Sequence, residues 1–367
     1  MRKTVLLIVF LFLFSLTVTA EDIQSDIYDE LELERAEELI PESAESSEID
    51  FSVKNTPSSN GLNITTLFKT VFKHFYTRLA EEISFIFFSI AILVLSSVTL
   101  SFIPTSSTAL RSAVGFVISA LTATVLTEHI ENAFLHDQGY ISEITAFMTG
   151  LLPFFGSLSV LGGEFASSAV QKAVLLSVID LLQSFIGGVA VPICKAVTAL
   201  SIAGYISGIS LGAISEFITG IATNTVTVGC GIMGAVLYFQ NTVSSVTDSL
   251  ALRSVRLAAG SFIPIVGSFV SEASGTLISG VKLVSSTFGV FAICVLIYMS
   301  IGPIIGFLTV KVSMRFTGAV AKLLGCDREA RVFTEISSVY NILSAVMIAS
   351  ACFFIFFITV FIQNGGK

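Results

Sequence analysis

After residue 82 the chain falls into long uncharged runs separated by short polar breaks. Residues 83–110, 144–163, 196–215, 217–247, 283–310 and 336–366 contain no Asp, Glu, Lys or Arg, and 173–194 contain only Asp180. A helix crosses the hydrocarbon of a bilayer with about 20 apolar residues, and a soluble core gives no reason to repeat that length so often. The pattern predicts an all-α polytopic membrane protein with about seven to eight transmembrane helices over 83–362. Composition agrees, with 53% hydrophobic and 13% charged residues and a mean hydropathy of +0.89.

The first twenty residues follow a different pattern. Arg2 and Lys3 precede an apolar stretch at 5–16 and the small-residue site Val18-Thr19-Ala20. That order predicts a signal peptide at 1–20, with an uncleaved anchor as the alternative; either way the following segment is exported. Residues 21–60 are expected to form an acidic, disordered exported tail, because they offer too little apolar surface to offset the entropy of ordering. The sharper alternative is a docking peptide, with Ile27, Leu31 and residues 33–40 forming a short helix. Residues 21–50 hold thirteen of the 27 acidic side chains and one basic one, Arg35. Without them the balance is 18 basic against 14 acidic, so the net charge of −8 implies no nucleic-acid partner in either direction.

Between tail and first span, Leu67, Val71, Phe75 and Leu79 recur every four residues, with Lys69, Lys73 and Arg78 off that stripe. Residues 61–82 therefore read as an amphipathic segment at the bilayer interface, or as a lead-in packed on other helices. Lys and Arg concentrate at 311–335, which predicts a cytoplasmic loop; 128–143 carry Glu128, Glu131, Asp137 and Glu143 without a basic residue, which predicts an outer loop. These assignments agree only if 257–271, short and interrupted by Pro264, turn back within the membrane.

An internal echo singles out the prolines. The run Leu152-Pro153-Phe154-Phe155-Gly156-Ser157-Leu158 resembles Ile263-Pro264-Ile265-Val266-Gly267-Ser268-Phe269, and at the same offset Pro192-Ile193 matches Pro303-Ile304. Broken or re-entrant segments at Pro153/Gly156 and Pro264/Gly267 are the expectation, since interrupted helices form binding sites in repeat-built transporters. Chance similarity in a chain rich in Gly, Ser and Phe is the competing explanation.

Catalytic motifs fail on context. Gly229-Cys230-Gly231-Ile232-Met233-Gly234 fits a dinucleotide fingerprint and Gly208-Ile209-Ser210-Leu211-Gly212 an esterase elbow, but both sit inside expected spans. Gly204, Gly208 and Gly212, at four-residue spacing, are expected to line a helix-packing face instead. The five cysteines include no CxxC pair, so neither a zinc clamp nor a disulfide framework is indicated. His129 and His136 among acidic neighbours suggest a solvated loop before a cation site. Asp180, with Gln183 one turn on, is the candidate intramembrane polar site: an ion or proton pathway, or a structural pairing between helices. No cofactor or catalytic residue is expected, and no enzymatic activity.

Arg253, Arg256 and Ala258, the run Gly260-Ser261-Phe262-Ile263-Pro264-Ile265-Val266-Gly267, and then Glu272-Ala273 and Thr276-Leu277-Ile278-Ser279 resemble the signature of the stage III sporulation protein AE family. Glu272 and Ser268 depart from it, at positions where Asp and Gly are expected. The general layout over roughly 80–362 is similar too. The resemblance implies a multi-pass protein of the mother-cell membrane around the forespore. Its implied partners are the other membrane proteins of the stage III sporulation A complex, a separate ATPase subunit among them, and a forespore membrane channel partner. Together they imply a secretion-like channel required for endospore formation. This chain agrees in having no GxxxxGK[ST] motif of its own. The alternative is a self-contained secondary transporter for a small solute or ion, built on Asp180 and the proline-broken segments.

Overall fold

The computed structural model describes residues 27–29, 31–41, 44, 51–53, 64–104, 106–162, 165–208, 212–225, 228, 229, 231 and 264–365. Within them the chain is all-α. Its elements are α1 (Ile64–Phe102), α2 (Thr108–Leu161), α3 (Phe165–Phe185), a π-helical turn (Ile186–Ala190), α4 (Val191–Ser207), α5 (212–225), α6 (Pro264–Leu323) and α7 (Asp327–Gly365). Five stretches are long and apolar enough to cross a membrane: Thr65–Phe102, Thr108–Leu161, Leu175–Ser207, Ser279–Leu323 and Asp327–Ile362.

These helices are longer than a bilayer requires. The 54 residues of α2 make a rod of about 80 Å, against roughly 30 Å of hydrocarbon. The predicted outer loop at 128–143 is therefore not a loop; it is the middle of α2, and it joins two stretches expected to be separate spans. The buried positions Leu126, Ile130, Phe134, Ile141, Ile144, Met148, Leu151, Phe155 and Leu158 explain why. They step by three or four residues, and by two full turns from Phe134 to Ile141 within the charged segment, so one apolar stripe holds the whole helix to the core. Residues 311–335 are likewise not a loop but the tip of the α6–α7 hairpin.

That hairpin is the centre of the fold. The apolar window of α6 is 67% buried, whereas that of α1 is 22% buried. The hairpin closes in three residues because Gly325 adopts φ 74°. The Gly325 N–H then donates to the Lys322 carbonyl (3.2 Å) and the Cys326 N–H to the Ala321 carbonyl (2.9 Å), the paired bonds of a Schellman cap. Close approach is maintained by Gly318, where a Cβ would lie 3.3 Å from both the Ala330 carbonyl and the Phe333 Cβ, and by Gly289, where it would run into Ile362. At the far end Phe155 of α2 wedges among Phe288 of α6 and Phe357 and Phe361 of α7.

The prolines do not break the bundle in the expected way. Pro153 lies inside continuous α2, and Pro264 is the first residue of α6, where a missing N–H is harmless. Residues 257–263 lie outside the described residues, as does the part of the sequence signature before Pro264. The distortion falls at Pro192 instead: the turn just before it widens into the π-helical segment 186–190, as a proline inside a helix demands. Pro303 sits within α6.

Residues 64–82 run without interruption into the span as the first turns of α1. Part of the acidic tail is packed, not solvated. A 3-10 turn, Leu33–Leu39, buries Leu33 and Ala36 while Glu32, Glu34 and Glu38 face outward. Leu39 meets α2 at Gly150, Phe51 packs edge-on against Tyr298 (centroids 5.5 Å apart), and the Val53 N–H donates to Glu37 Oε1 (2.8 Å). Burial of these few apolar side chains overrides the acidic composition.

Candidate functional site

The sequence-derived candidates do not converge. Asp180 and Gln183 are exposed on α3, and among the described residues no hydrogen bond or ion pair reaches Asp180. Gly204, Gly208 and Gly212 do not share a helix face. Gly204 is buried in α4, but Gly208 ends that helix at φ 75° and Gly212 opens α5. The tip of the α6–α7 hairpin fills this turn: Arg328 donates to the Tyr205 carbonyl (2.9 Å), and a Cβ at Gly212 would lie 2.9 Å from Glu335 Oε1. Gly156 packs against the Lys172 side chain, and Gly267 lies in the first turns of α6. Cys194, Cys294 and Cys326 are buried and Cys352 is exposed, none of them in a disulfide among the described residues, and Cys230 lies outside those residues. Burial, then the nearby Glu329 carboxylate, raises the Cys326 thiol above its ordinary pKa.

What the fold does bring together is a polar cavity of about 460 Å³ between α1, α2 and α6. It lies midway along the bundle, roughly 30 Å from the hairpin turn. All three histidines of the chain line it: His74 from α1, His129 and His136 from α2. Arg78, Glu81 and Glu82 line it from α1, and Asn132, Tyr140 and Glu143 from α2. Gly302, Pro303, Gly306 and Phe307 form its α6 wall. At Gly302 and Gly306 a Cβ would make ordinary contacts, 3.6 Å from His74 Cε1 and 3.8 Å from Arg78 Nε, so the side chains of α1 lie directly over this wall.

Helical spacing explains the convergence. His74, Arg78 and Glu82 are four residues apart on one face of α1, as are Asn132 and His136 on α2. Tyr140 is fixed across the cavity by a 2.9 Å hydrogen bond with Ser300. Arg78 is already committed, bonding Glu81 at 2.9 Å.

The deep end is less satisfied. Glu82 is only 9% exposed, His129 Nε2 lies 3.4 Å from Glu82 Oε2, and neither atom has a hydrogen-bond partner. The distance permits attraction once His129 is protonated, but the geometry is not that of a hydrogen bond. Phe85 stacks on the His129 ring at 4.1 Å and 14°, holding it in place. Buried polar groups are normally paired, so the adjacent Glu82 Oε2 and His129 Nε2 single out the deep end of the cavity. Glu131 faces a second, more apolar groove between α2 and α4, where Lys195 stands 5.6 Å over the Phe134 ring.

The family can now be fixed. The sequence model of the family described as stage III sporulation protein AE matches residues 45–365. The chain belongs to that family. It is also 27% identical over 228 residues to the stage III sporulation protein AE of Bacillus subtilis (strain 168), a match covering 62% of this chain and 57% of that relative. The alignment thus spans little more than half the length of that sporulation protein. No solved structure matches. Membership ties this membrane-type helical bundle to sporulation. The family match covers the cavity-lining segments of α1, α2 and α6 and all of α7, together with the signature residues between Arg253 and Ser279.

Proposed function

We infer that the chain is a multi-pass core subunit of a secretion-like channel between mother cell and forespore, seated in the mother-cell membrane that surrounds the forespore and required for endospore formation. The observation that carries this reading is the family match across residues 45–365, together with five helices apolar enough to span a membrane. The chain works through partners: the other membrane proteins of the stage III sporulation A complex, a separate ATPase subunit, and a forespore membrane protein reached through the complex. It performs no chemistry of its own. The sequence holds no P-loop, and energy enters through the ATPase.

Sidedness is read from where the charges lie. The acidic segment packs at Gly150 and Tyr298, about 40 Å along α6 from the basic hairpin tip with Lys322, Arg328 and Arg331. This supports an intermembrane position for the tail and a cytoplasmic position for the tip. The alternative, a self-contained transporter using Asp180 and broken helices, loses support because Asp180 is exposed and Pro153 lies in an unbroken helix.

Deletion of the gene should block sporulation after engulfment, and affinity capture of the restored protein from sporulating cells should recover the ATPase and other complex subunits. Cysteines placed at Glu34 and Leu323 in a Cys-free background should be labelled from opposite sides. Normal spores without the gene, or capture of the protein free of partners, would contradict the channel reading. Cys326 is unsuitable for the labelling because its thiol is buried.

A further inference from the structure

We propose that one flank of the bundle is the acidic, water-facing wall of a conducting path. The proposal rests on the channel reading and says which side of the chain such a channel uses. Register defines the flank. On α2, Asn132, Gly139, Glu143 and Gly150 are separated by seven, four and seven residues, so they share one face over about 27 Å. Most of that face lines the polar cavity, opposite Gly302 and Gly306 of α6. At Gly150 it receives Leu39, and one turn before Gly302 the ring of Phe51 packs on Tyr298. The acidic 3-10 turn and the chain after it therefore extend the cavity face along α2 and α6.

This flank runs beside the uncharged α6 stretch 283–310. Asn132, His136 and Glu143 are nevertheless exposed on it, as are Glu34 and Glu38 on the 3-10 turn. Ionisable groups at membrane depth face water or protein rather than lipid. The exposed side of α7 differs at the same height. Tyr340 packs on Phe307 and Ile362 on Gly289, so the residues between them flank the same stretch of α6. There Ile348, Cys352 and Phe356 are exposed on one helical face, and none is charged. One side of the bundle suits water and the other lipid. Carboxylates prevail on the wet side: Glu32, Glu34, Glu38, Glu81 and Glu143 stand against Arg35 and Arg78, which pair with Glu32 and Glu81. Such a wall concentrates small cations and disfavours anions.

Substituted cysteines test the wall in the assembled complex. Single cysteines replace Asn132, Glu143 or Glu34 in a full-length chain otherwise free of cysteine, and a fourth chain keeps native Cys352 alone as the lipid-side reference. His136→Cys stands in should Glu143→Cys fail to accumulate. Membranes from sporulating cells are broken open and treated with membrane-impermeant methanethiosulfonates, one cationic and one anionic, and modification is followed by mass spectrometry. The wall positions should react at least about tenfold faster than Cys352, because the reactive thiolate forms in water and not in an apolar setting. At the wall the cationic reagent should also outpace the anionic one by more than it does with a free thiol in solution. Equal rates at Cys352 and the wall, wall thiols that react only after detergent extraction, or no added preference for the cationic reagent overturn the proposal. Reaction rates speak to the wall and recovery of partners from the same membranes to the channel reading, so failure of one is distinguished from failure of the other.

Discussion

The α6–α7 hairpin and the α1–α2 cleft use the same long helices in opposite ways. Along the hairpin, glycines at 289 and 318 bring backbones together and the apolar side chains interlock from the 324–326 turn to the phenylalanine cluster at the other end. Along the cleft, the side chains of His74 and Arg78 lie over the bare backbone of Gly302 and Gly306, and polar side chains line a cavity. One region lowers the free energy of the fold. The other leaves Glu82 Oε2 and His129 Nε2 without a hydrogen bond, at a cost to it. Proteins keep such orphans where function needs them, which is why the cleft, rather than the hairpin, is the candidate site.

The comparison breaks if the hairpin tolerates bulk. Gly289→Leu places side-chain atoms where Ile362 already stands, and overpacking of this kind should cost about 3 kcal/mol or prevent accumulation altogether. Thermal unfolding in detergent, with membrane expression as the second readout, checks this. A variant of wild-type stability would show that α6 and α7 are not tightly joined.

The turn at Gly208 should be nearly as sensitive, for a reason other than helix packing. A leucine there is strained at φ 75° and meets the Arg328 guanidinium. Gly208→Leu should lose about 2 kcal/mol, and Gly208→Asn, tolerant of that backbone conformation, distinctly less. In an Arg328→Ala background part of the leucine penalty should disappear, a non-additivity that a double-mutant cycle measures. Full additivity would separate the turn from the hairpin tip.

The cleft should behave oppositely. Glu82→Gln removes a buried, unpartnered carboxylate, so stability should stay within about 1 kcal/mol of wild type or rise. A large loss of stability would mean that Glu82 is structural, and the contrast between the two regions would fall.

The smallest effect is expected at Asp180. Exposed on α3, it should leave folding within about 0.5 kcal/mol on change to either Asn or Leu. Asp180→Asn should also preserve complex assembly, while Asp180→Leu should lower recovery of partner chains. Destabilisation of the isolated protein by Asp180→Leu would place its partner within the same chain.

These contrasts also show what the sequence made legible. Uncharged runs correctly marked the membrane character and all-α class, because apolar length is a strong signal in itself. Boundaries failed where charge was read as the end of a helix. Glu128, Glu131 and Glu143 suggested a loop, yet Leu126, Ile130, Phe134, Ile141 and Ile144 carried the helical period through it. Helices of this length leave room for charged stretches between apolar ones, and periodicity was the cue that outweighed charge. Gly204, Gly208 and Gly212 failed differently, since four-residue spacing cannot reveal that Gly208 has a positive φ. The cavity was half visible: His129 and His136 were noticed as neighbours in sequence. Pairing them with His74 and Glu82 required knowing that α1 lies against α2, a contact no local pattern encodes.

The most direct test of the account asks whether the cleft, rather than the scaffold, carries the biological role. Strains in which Glu82→Gln or His129→Phe replaces the native residue should be scored together for protein level, recovery of complex partners and heat-resistant spores. Protein levels and assembly should be normal and heat-resistant spores clearly reduced, because each variant removes a polar group from the cleft. Wild-type spore yields from both variants, with the proteins folded and assembled, would contradict it.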